Sequence, residues 1–221
     1  MSVEKAGLRA VIRTRLRTLA ADRTLAAGKS RSAASVFTES SLYRDSDAVL
    51  AFLSFGTEIQ THDLVRTMLA DGKRVAIPRT FENEASCASG ICESAGDARM
   101  EFYWLSREVP LEDQVEKGDF GILVPRESLE MADPAVLPEN TLMVLPGVAF
   151  SKEGWRLGQG RGFYDRYLER IIAENKKHSR GKPFLAGYCY SLQIVDEVPH
   201  DEWDIPVSYV ITEDSIIQCK A

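Results

Sequence analysis

The sequence predicts an α/β domain in which helices cover both faces of a mostly parallel β-sheet. Short apolar segments of strand length alternate with longer segments of helical periodicity through most of the chain. Residues 48–78 form one strand–helix–strand unit, and such a unit joins parallel strands through a right-handed crossover. A length of 221 residues suits one domain with a full hydrophobic core, so residues 1–221 are expected to form a single domain.

The first part of the chain is predicted to be helical. Residues 4–20 carry apolar side chains at intervals of four, four and three residues, which places them on one side of a helix. These side chains are Leu8, Ile12, Leu16 and Leu19. Residues 24–40 predict a second helix, rich in alanine and serine, with Val36 and Phe37 available for the core.

The strand–helix–strand unit follows. The apolar run AVLAFLSF (48–55) predicts a strand, and THDLVRTMLADGK (61–73) predicts a helix. Thr61 is expected to cap the start of this helix and Gly72 to end it. The run RVAIP (74–78) predicts the next strand.

The second half continues the alternation. The polar segment 81–97 is expected to be a loop, and 163–177 predicts a helix with Tyr167, Leu168, Ile171 and Ile172 on its apolar side. The remaining strands are predicted at 100–105, 120–125, 141–150, 183–190 and 207–212.

Composition excludes several classes of protein. The net charge of −6 argues against a nucleic-acid-binding domain, which usually carries a basic excess. No apolar run approaches the roughly 20 residues that span a bilayer, and the amino terminus has no secretory h-region. The four cysteines and three histidines show no metal-ligand spacing, so free thiols and surface histidines are expected. Free thiols are typical of a reducing cytoplasm. We expect a cytoplasmic monomer that binds neither nucleic acid nor a membrane.

Residues 145–168, LPGVAFSKEGWRLGQGRGFYDRYL, contain the most informative pattern in the chain. Three glycines alternate with other residues between a predicted strand and a predicted helix, and arginines flank them. Glycines allow close approach to the backbone and allow consecutive N–H groups to point inward as an anion site. The start of the following helix adds its dipole, and arginine forks bind phosphate or carboxylate oxygens. A carboxylate, Asp165, follows at once, and it is best explained as a ligand of Mg²⁺ that accompanies phosphates.

The glycine pattern alone is not specific. It matches neither the P-loop nor the dinucleotide-binding G-x-G-x-x-G pattern. A flexible surface turn with solvated arginines remains the alternative interpretation.

This stretch resembles the signature of the 5-formyltetrahydrofolate cyclo-ligase family, also called 5,10-methenyltetrahydrofolate synthetases. The signature is a strand ending in Pro-Gly, then Phe, a spacer, and R-L-G-x-G-x-G-[YF]-Y-D, and every fixed position is present. Softer matches are Lys5 and Arg9 in the first helix, EIQT at 58–61, and HDEWDIPVSYVITED at 200–214. The resemblance covers essentially the whole chain. It implies a three-layer α/β/α sandwich similar to the ribose-5-phosphate isomerase and CoA-transferase group.

The resemblance also implies an activity and its ligands. The family uses ATP and Mg²⁺ to convert 5-formyltetrahydrofolate into 5,10-methenyltetrahydrofolate, ADP and phosphate. The formyl oxygen is phosphorylated, which makes it a good leaving group, and N10 then attacks the formyl carbon. The expected partners are therefore two small molecules, 5-formyltetrahydrofolate and ATP, with Mg²⁺ as cofactor.

The resemblance assigns roles to particular residues. The implied ATP-binding residues are Lys5, Arg9, Arg156, Leu157, Gly158, Gln159, Gly160, Arg161, Gly162, Phe163 and Tyr164. The implied substrate-binding residues are Leu53, Glu58, Gln159, Gly160, Arg161, Gly162 and Phe163. Arg156, Arg161 and Tyr164 are the implied catalytic residues, and Asp165 and Asp204 the implied metal ligands.

Plainer interpretations of some of these residues stay open. Glu58 could cap a helix, Leu53 could be a core residue, and Asp204 could be a solvated loop acid. Arg13 continues the stripe of Lys5 and Arg9 on the first helix, and it is interpreted as part of a solvated helix face.

Two other kinds of protein fit the same pattern less well. A sugar-phosphate isomerase or acyl-CoA transferase on this fold would need a catalytic carboxylate but no nucleotide or Mg²⁺, and a non-catalytic folate binder would need no turnover. Asp165 beside a phosphate site favours the cyclo-ligase. The chain departs from many family members at Val124-Pro125, where they have Glu-Pro, so contacts with the substrate or its glutamate tail could differ here.

Overall fold

The computed structural model describes residues 3–81, 99–118, 121–179, 181, 183–202 and 204–220. Most of the predicted 81–97 loop therefore lies outside the described residues. Two of the four cysteines are described, and both Cys189 and Cys219 are free thiols, as expected. Within the described ranges, no helix combines the length and the apolar character needed to cross a membrane.

The described helices lie where the periodicity predicts them, with two short additions. Asp22 caps the second helix by accepting a hydrogen bond from the Leu25 backbone N–H at 2.9 Å. The helices are α1 (Val3–Ala21), α2 (Arg23–Thr38), α3 (Ser41–Arg44), α4 (His62–Ala70), α5 (Leu111–Gln114) and α6 (Phe163–Lys177). The short helices α3 and α5 have four residues each, too few to show a period in the sequence.

The strands form one large sheet and two small ones. They are β1 (Ala48–Leu50), β2 (Arg74–Phe81), β3 (Arg99–Trp104), β4 (Val115–Lys117), β5 (Leu123–Pro125), β6 (Thr141–Leu145), β7 (Ala149–Ser151), β8 (Arg156–Leu157), β9 (Phe184–Tyr188), β10 (Ile194–Val195), β11 (Tyr209–Ile211) and β12 (Ile216–Gln218). The large sheet has the order β12-β11-β9-β6-β1-β2-β3. Its five inner strands are parallel, and the two edge strands, β3 and β12, pair antiparallel with their neighbours.

Two predicted strands and one predicted helix cap were wrong. The predicted strand 48–55 keeps only its first three residues in the sheet, and the predicted strand 141–150 is divided into β6 and β7, which belong to different sheets. Gly147 lies at the bend between them, where a Cβ would be 2.5 Å from Phe150 Cζ. Thr61 precedes α4 but makes no side-chain cap, because its hydroxyl donates to the Phe52 carbonyl at 2.6 Å.

The large sheet divides the core into two clusters. Alternate residues of β6 point to opposite faces. Leu142 and Val144 belong to the first core cluster, which includes buried side chains of α1, α2 and α4. Met143 and Leu145 belong to the second core cluster, which includes buried side chains of α6. Helices therefore cover both faces of the sheet, and the predicted three-layer α/β/α architecture is confirmed.

The loops at the carboxyl ends of β1 and β6 lead to the predicted site residues. Residues 51–61 follow β1, and residues 146–148 follow β6 and lead into the small sheet β10-β7-β8. Ligands of open α/β sheets bind at this edge of the sheet. The glycine-rich segment continues from β8 into α6.

Candidate functional site

The glycine loop, residues 158–162, connects β8 to the start of α6. Gly160 has a φ of +100° and Gly162, the N-cap residue of α6, has a φ of +69°. Side chains other than glycine rarely adopt these conformations, so the glycines are required by the course of the backbone. The loop ends on a helix amino terminus, which offers unpaired N–H groups and a positive dipole end to an anion.

Arg156 lies at the base of the glycine loop with only 5% of its side chain exposed. Its Nη2 forms an ion pair with Asp165 Oδ1, and its Nη1 donates to the Pro146 carbonyl at 3.4 Å. The guanidinium carbon is 5.7 Å from the centre of the Tyr164 ring. Its Nε is buried and has no hydrogen-bond partner among the described residues. A buried cation left with an unused donor indicates a place for an additional acceptor.

Arg9 approaches the glycine loop from α1. The residue is 7% exposed, and its Nε donates to the Gly158 carbonyl at 2.9 Å. Its Nη1 is buried and finds no hydrogen-bond partner in the described part of the chain. Burial lowers the pKa of the Arg9 guanidinium, and the positive charge of Arg13 lowers this pKa further. Two neighbouring guanidinium groups and an unused buried donor are the features of an anion site.

Lys5 lies one helical step before Arg9 and binds a different segment. Its Nζ is 2.6 Å from Asp201 Oδ2 and 3.1 Å from Asp204 Oδ2. Burial alone would lower the pKa of Lys5, but the hydrogen bonds to these two carboxylates outweigh burial and raise it. Asp204 Oδ2 also accepts a hydrogen bond from the Asp201 backbone N–H at 2.8 Å, which shapes the turn. Asp204 is therefore not a solvated loop acid.

Arg13 is exposed, as a solvated helix face requires, but it also contacts the glycine loop. Its Nη2 donates to Gln159 Oε1 at 2.6 Å, so α1 contacts two consecutive residues of the glycine loop. A solvated helix face was expected because helical spacing gives the direction of a side chain but not the element that the helix packs against.

Glu58 lies in the loop that follows β1. Its Oε2 accepts a hydrogen bond from the Phe55 backbone N–H at 3.0 Å, so the carboxylate stabilises its own loop and does not cap α4. Burial raises the pKa of Glu58, and the Phe55 N–H offsets part of this effect. Burial also raises the pKa of Tyr164, the charge of Glu58 raises it further, and the charge of Arg156 opposes the rise. Glu58, Tyr164 and Arg156 therefore lie close enough to interact electrostatically.

Two hydroxyl groups hold together the loop that follows β1 and carries Glu58. The Ser54 backbone N–H donates to Thr61 Oγ1 at 2.8 Å, and the Thr61 backbone N–H donates to Ser54 Oγ at 3.1 Å. Leu53, which precedes this pair, is 6% exposed and packs in the first core cluster. Its core role is therefore established, and its contact with substrate stays a prediction.

A buried glutamine supports the site from beneath, and the sequence reasoning missed it. Gln193 Nε2 donates to the Gly147 carbonyl at 2.8 Å and to the Val148 carbonyl at 3.1 Å. Its Oε1 accepts from the Tyr190 backbone N–H at 2.9 Å. This side chain fixes the bend that leads to β7 and β8. No local sequence pattern distinguishes such a glutamine from a surface one.

The remaining loop residues lie at the surface beside these groups. Gln159, Gly160 and Arg161 are exposed, whereas Leu157 is buried in the first core cluster. Gly162 and Phe163 are half-buried at the start of α6. The backbone of the segment is thus available to a ligand, while the Leu157 side chain is not. Val124 is buried in β5, which pairs with β4 in a two-stranded sheet.

Each of the two predicted metal ligands is held in an ion pair. Asp165 is paired with Arg156, and Asp204 is paired with Lys5. Within the described residues, no group of three or more His, Cys, Asp or Glu side chains could hold a metal ion. Mg²⁺ commonly uses one or two carboxylates, with water and substrate phosphates completing its six ligands. The residues present fit a Mg²⁺ ion that arrives with a phosphorylated ligand.

Two clefts lie at the amino ends of the parallel strands, and they contain none of the predicted site residues. One has a volume of about 390 Å³ and the other about 310 Å³, and both are lined by Asn140 and Phe184. Asp45 is the one acidic side chain in the lining of the first, and Glu139 has that position in the second. Neither cleft brings together the charged groups that the glycine loop does.

Comparison with known proteins gives a consistent result. The sequence profile of the 5-formyltetrahydrofolate cyclo-ligase family matches residues 1–213. A relative from Mus musculus named 5-formyltetrahydrofolate cyclo-ligase is 29% identical over 211 residues, covering 96% of this chain and 94% of the relative. A relative of the same name from Escherichia coli K12 is 30% identical over 168 residues, covering 76% of this chain and 79% of the relative.

Solved structures show the same likeness. The solution structure of a 5,10-methenyltetrahydrofolate synthetase from Aquifex aeolicus has a TM-score of 0.68 and 25% identity, covering 98% of this chain and 93% of that one. A 5,10-methenyltetrahydrofolate synthetase from Mycoplasma pneumoniae has a TM-score of 0.64 and 17% identity, covering 96% of this chain and 99% of that one, and this second likeness concerns the fold alone.

Proposed function

The chain belongs to the 5-formyltetrahydrofolate cyclo-ligase family, and from this premise we propose that it converts 5-formyltetrahydrofolate and ATP into 5,10-methenyltetrahydrofolate, ADP and phosphate. The use of a nucleotide is supported by two buried guanidinium nitrogens beside the glycine loop that make no hydrogen bond within the described residues. Arg9 Nη1 and Arg156 Nε both lack a partner among the described residues. Phosphate oxygens are the acceptors that suit them best.

The reaction has two bond-making steps. The formyl oxygen attacks the γ-phosphorus of ATP, an O–P bond forms, and ADP leaves. N10 then attacks the formyl carbon, a C–N bond forms, and the C–O bond breaks with release of phosphate. N10 gives up its proton as the ring closes. Without the first step the oxygen would have to depart as hydroxide, which is a poor leaving group.

The protein's contribution is mainly alignment and charge stabilisation. The N–H groups of the glycine loop and of the first turn of α6 bind phosphate oxygens. Arg9 and Lys5 act from the side of α1, and Arg156 acts from the side of α6. Because Arg9 is already buried and held by the Gly158 carbonyl, it needs little reorganisation when the ligand binds.

The carboxylates of Asp165 and Asp204 would hold Mg²⁺. Bound Mg²⁺ would neutralise phosphate charge during transfer. In the described structure each of these carboxylates is paired with a proposed phosphate ligand, Arg156 or Lys5. When the nucleotide binds, Arg156 and Lys5 would leave these ion pairs and bind phosphate oxygens. Asp165 and Asp204 would then be available to the metal.

The folate would bind on the side of Glu58 and Tyr164. The pterin ring presents adjacent donors, and a carboxylate such as Glu58 can accept two hydrogen bonds from them. Arg161 and the backbone from Gln159 to Phe163 would lie between the folate and the nucleotide. Tyr164, which interacts electrostatically with both Glu58 and Arg156, would stand next to the formyl group.

The test is a spectroscopic assay of ring closure. Purified protein is incubated with 5-formyltetrahydrofolate and MgATP, and the near-ultraviolet absorbance of the methenyl product is followed. We expect product formation that requires both ATP and Mg²⁺, with one ADP released per product. Absence of product at every Mg²⁺ concentration would contradict the proposal. Tight folate binding without turnover would indicate a non-catalytic folate binder instead.

A further inference from the structure

Two aromatic rings form a stacked pair beside the proposed phosphate site. The rings of Trp155 and His200 have centroids 3.7 Å apart and an angle of 6° between their planes. Trp155 is half-buried and packs against the first core cluster, whereas His200 is exposed. One face of the imidazole is covered by the indole, so the exposed part of the pair is the outer face of His200.

The pair is held in place before any ligand binds. His200 Nδ1 donates to the Val198 carbonyl at 3.0 Å, which fixes the imidazole plane. The Trp155 carbonyl accepts a hydrogen bond from the Ser151 backbone N–H at 2.9 Å, which holds the Trp155 backbone in the turn between β7 and β8. A preorganised flat apolar surface loses little entropy when a second ring stacks on it.

Both members of the pair are sequence neighbours of proposed phosphate-site residues. Trp155 immediately precedes Arg156, and His200 immediately precedes Asp201, which binds Lys5. The stacked pair therefore lies between the strand that carries Arg156 and the turn that α1 contacts through Lys5. A nucleoside triphosphate bound at the glycine loop would have its ribose and base within reach of such a position.

The course of β8 separates this pair from Tyr164. Side chains alternate along an extended segment, so Trp155 and Leu157 point to one side and Arg156 to the other. Trp155 and Leu157 pack with α1 residues in the first core cluster, whereas Tyr164, which Arg156 contacts, packs against the second. The terminal phosphate must point towards Tyr164, beside which the formyl group is proposed to bind. The base at the other end of the molecule would then lie on the side of Trp155 and α1.

We propose that Trp155 and His200 form the platform on which the heterocyclic base of the nucleotide stacks. This proposal rests on the proposed function, because it assumes a nucleoside triphosphate at the glycine loop. Stacking of a base on an aromatic ring contributes a binding gain of about 5- to 100-fold. His200 provides the contacting face, and Trp155 supports that face from beneath.

The experiment separates the contribution of the base from that of the phosphates. Affinities for MgATP and for magnesium tripolyphosphate, which has no base, are measured by calorimetry on the full-length protein and on His200→Ala. We expect the wild-type protein to bind MgATP more tightly than tripolyphosphate by about 5- to 100-fold. In His200→Ala the ratio of the affinity for MgATP to the affinity for tripolyphosphate should fall towards one, while the affinity for tripolyphosphate is retained.

Matched variants make the result specific to stacking. His200→Phe keeps a flat ring and should retain most of the preference for MgATP, and Trp155→Leu should weaken it. His178→Ala removes an exposed histidine at the end of α6 and should change neither affinity. An unchanged ratio in His200→Ala, or a ratio of one in the wild-type protein, would overturn the platform. Failure of the wild-type protein to bind either ligand would overturn the nucleotide site itself.

Discussion

Arg9 and Arg156 show how much of this site depends on single side chains. Both guanidinium groups are almost completely buried, and each keeps one nitrogen unbonded within the part of the chain that the structure describes. An incompletely paired buried cation costs several kcal/mol unless a ligand completes its contacts. Such an arrangement is expected where stability is given up for binding, since strained or unsatisfied groups cluster at functional sites.

Glu58→Gln tests the proposed pterin contact. The amide keeps the size of the side chain and can still accept from the Phe55 N–H, but it loses the charge and one acceptor. A hydrogen bond to a charged group contributes about 1.5–3 kcal/mol, so the KM for 5-formyltetrahydrofolate should rise roughly 10-fold or more. Steady-state kinetics should show a smaller change in the KM for ATP. An equal effect on both constants would remove Glu58 from the pterin site.

Asp165→Asn tests the proposed metal ligand. The substitution removes a carboxylate that would hold Mg²⁺ and releases Arg156 from its ion pair. The Mg²⁺ concentration for half-maximal rate should rise at least about 10-fold. Calorimetry should show that ATP binding without Mg²⁺ is not weakened, because the freed Arg156 remains available to phosphate. Asp63→Asn, on the exposed face of α4, is the control and should change neither property. Normal Mg²⁺ dependence in Asp165→Asn would contradict the metal assignment.

The glycine loop is held from two directions by elements of different layers. Helix α1 contacts it through Arg9 and Arg13, and the bend after β6 supports β7 and β8 beneath it. That bend depends on close packing around Phe150, which is completely buried. Gly147 and Gly187 both face the Phe150 ring, and a Cβ on either would overlap with it. Small residues at these two positions therefore allow the small sheet to pack on the large one.

Gly187→Ala should destabilise the protein through this contact. A methyl group there overlaps the Phe150 ring, which is completely buried. Overpacking of this kind costs about 1–3 kcal/mol, and chemical denaturation should show a loss in the free energy of unfolding of that size.

Gly28→Ala is the matched control in the same protein. Gly28 lies within α2, and a Cβ there meets nothing within 4 Å. Alanine is favoured over glycine in a helix by about 0.5–1 kcal/mol, so this variant should be more stable than the wild-type protein. Equal stability changes in the two variants would show that Phe150 does not limit the space at Gly187.

At the scale of the whole molecule, the sequence predicted the long elements, in which the apolar pattern repeats several times, and missed the short ones. Helix α6 has the predicted bounds, because its apolar side repeats over three turns. The two-residue strands β8 and β10 are too short to show a period, and they are defined by pairing with β7. The third small-sheet strand, β7, was predicted as a continuation of β6, because its residues are equally apolar.

The site was predictable to a similar degree. The loop and its flanking residues followed from the resemblance, whereas the Arg13–Gln159 contact joins residues that only the tertiary fold brings together. The same holds for Gln193 and for the Trp155–His200 pair. Such contacts depend on side-chain direction and on the packing of distant elements, which residue spacing does not specify.

An ion pair between a partly exposed lysine and a buried glutamate joins α2 to the segment after β11 and makes the stability of the fold depend on pH. Glu213 is 4% exposed at its side chain and lies 2.6 Å from Lys29 Nζ. Burial alone would raise the pKa of Glu213, but hydrogen bonds from Lys29 and Ser191 outweigh burial and lower it. The ionised carboxylate therefore stabilises the fold above its unfolded pKa of about 4.3, and this contribution is lost as the pH falls through the lower folded value.

Glu213→Gln should remove that part of the acid sensitivity. The free energy of unfolding of the wild-type protein should fall more steeply below about pH 5 than that of the variant. At neutral pH the variant should be less stable, because Lys29 loses its partner. Urea unfolding followed by circular dichroism between pH 3 and 7 measures both effects. Parallel pH profiles would show that the pair does not contribute to acid unfolding.

The contacts of α1 have a consequence for the order of folding. Lys5 binds carboxylates 196 and 199 positions away, and Arg9 binds a carbonyl 149 positions away. Contacts between such distant parts of a chain require closure of very long loops and form late. Catalytic competence would thus be the last property gained on renaturation. It would also be the first lost when the leading helix detaches, before the sheet itself comes apart.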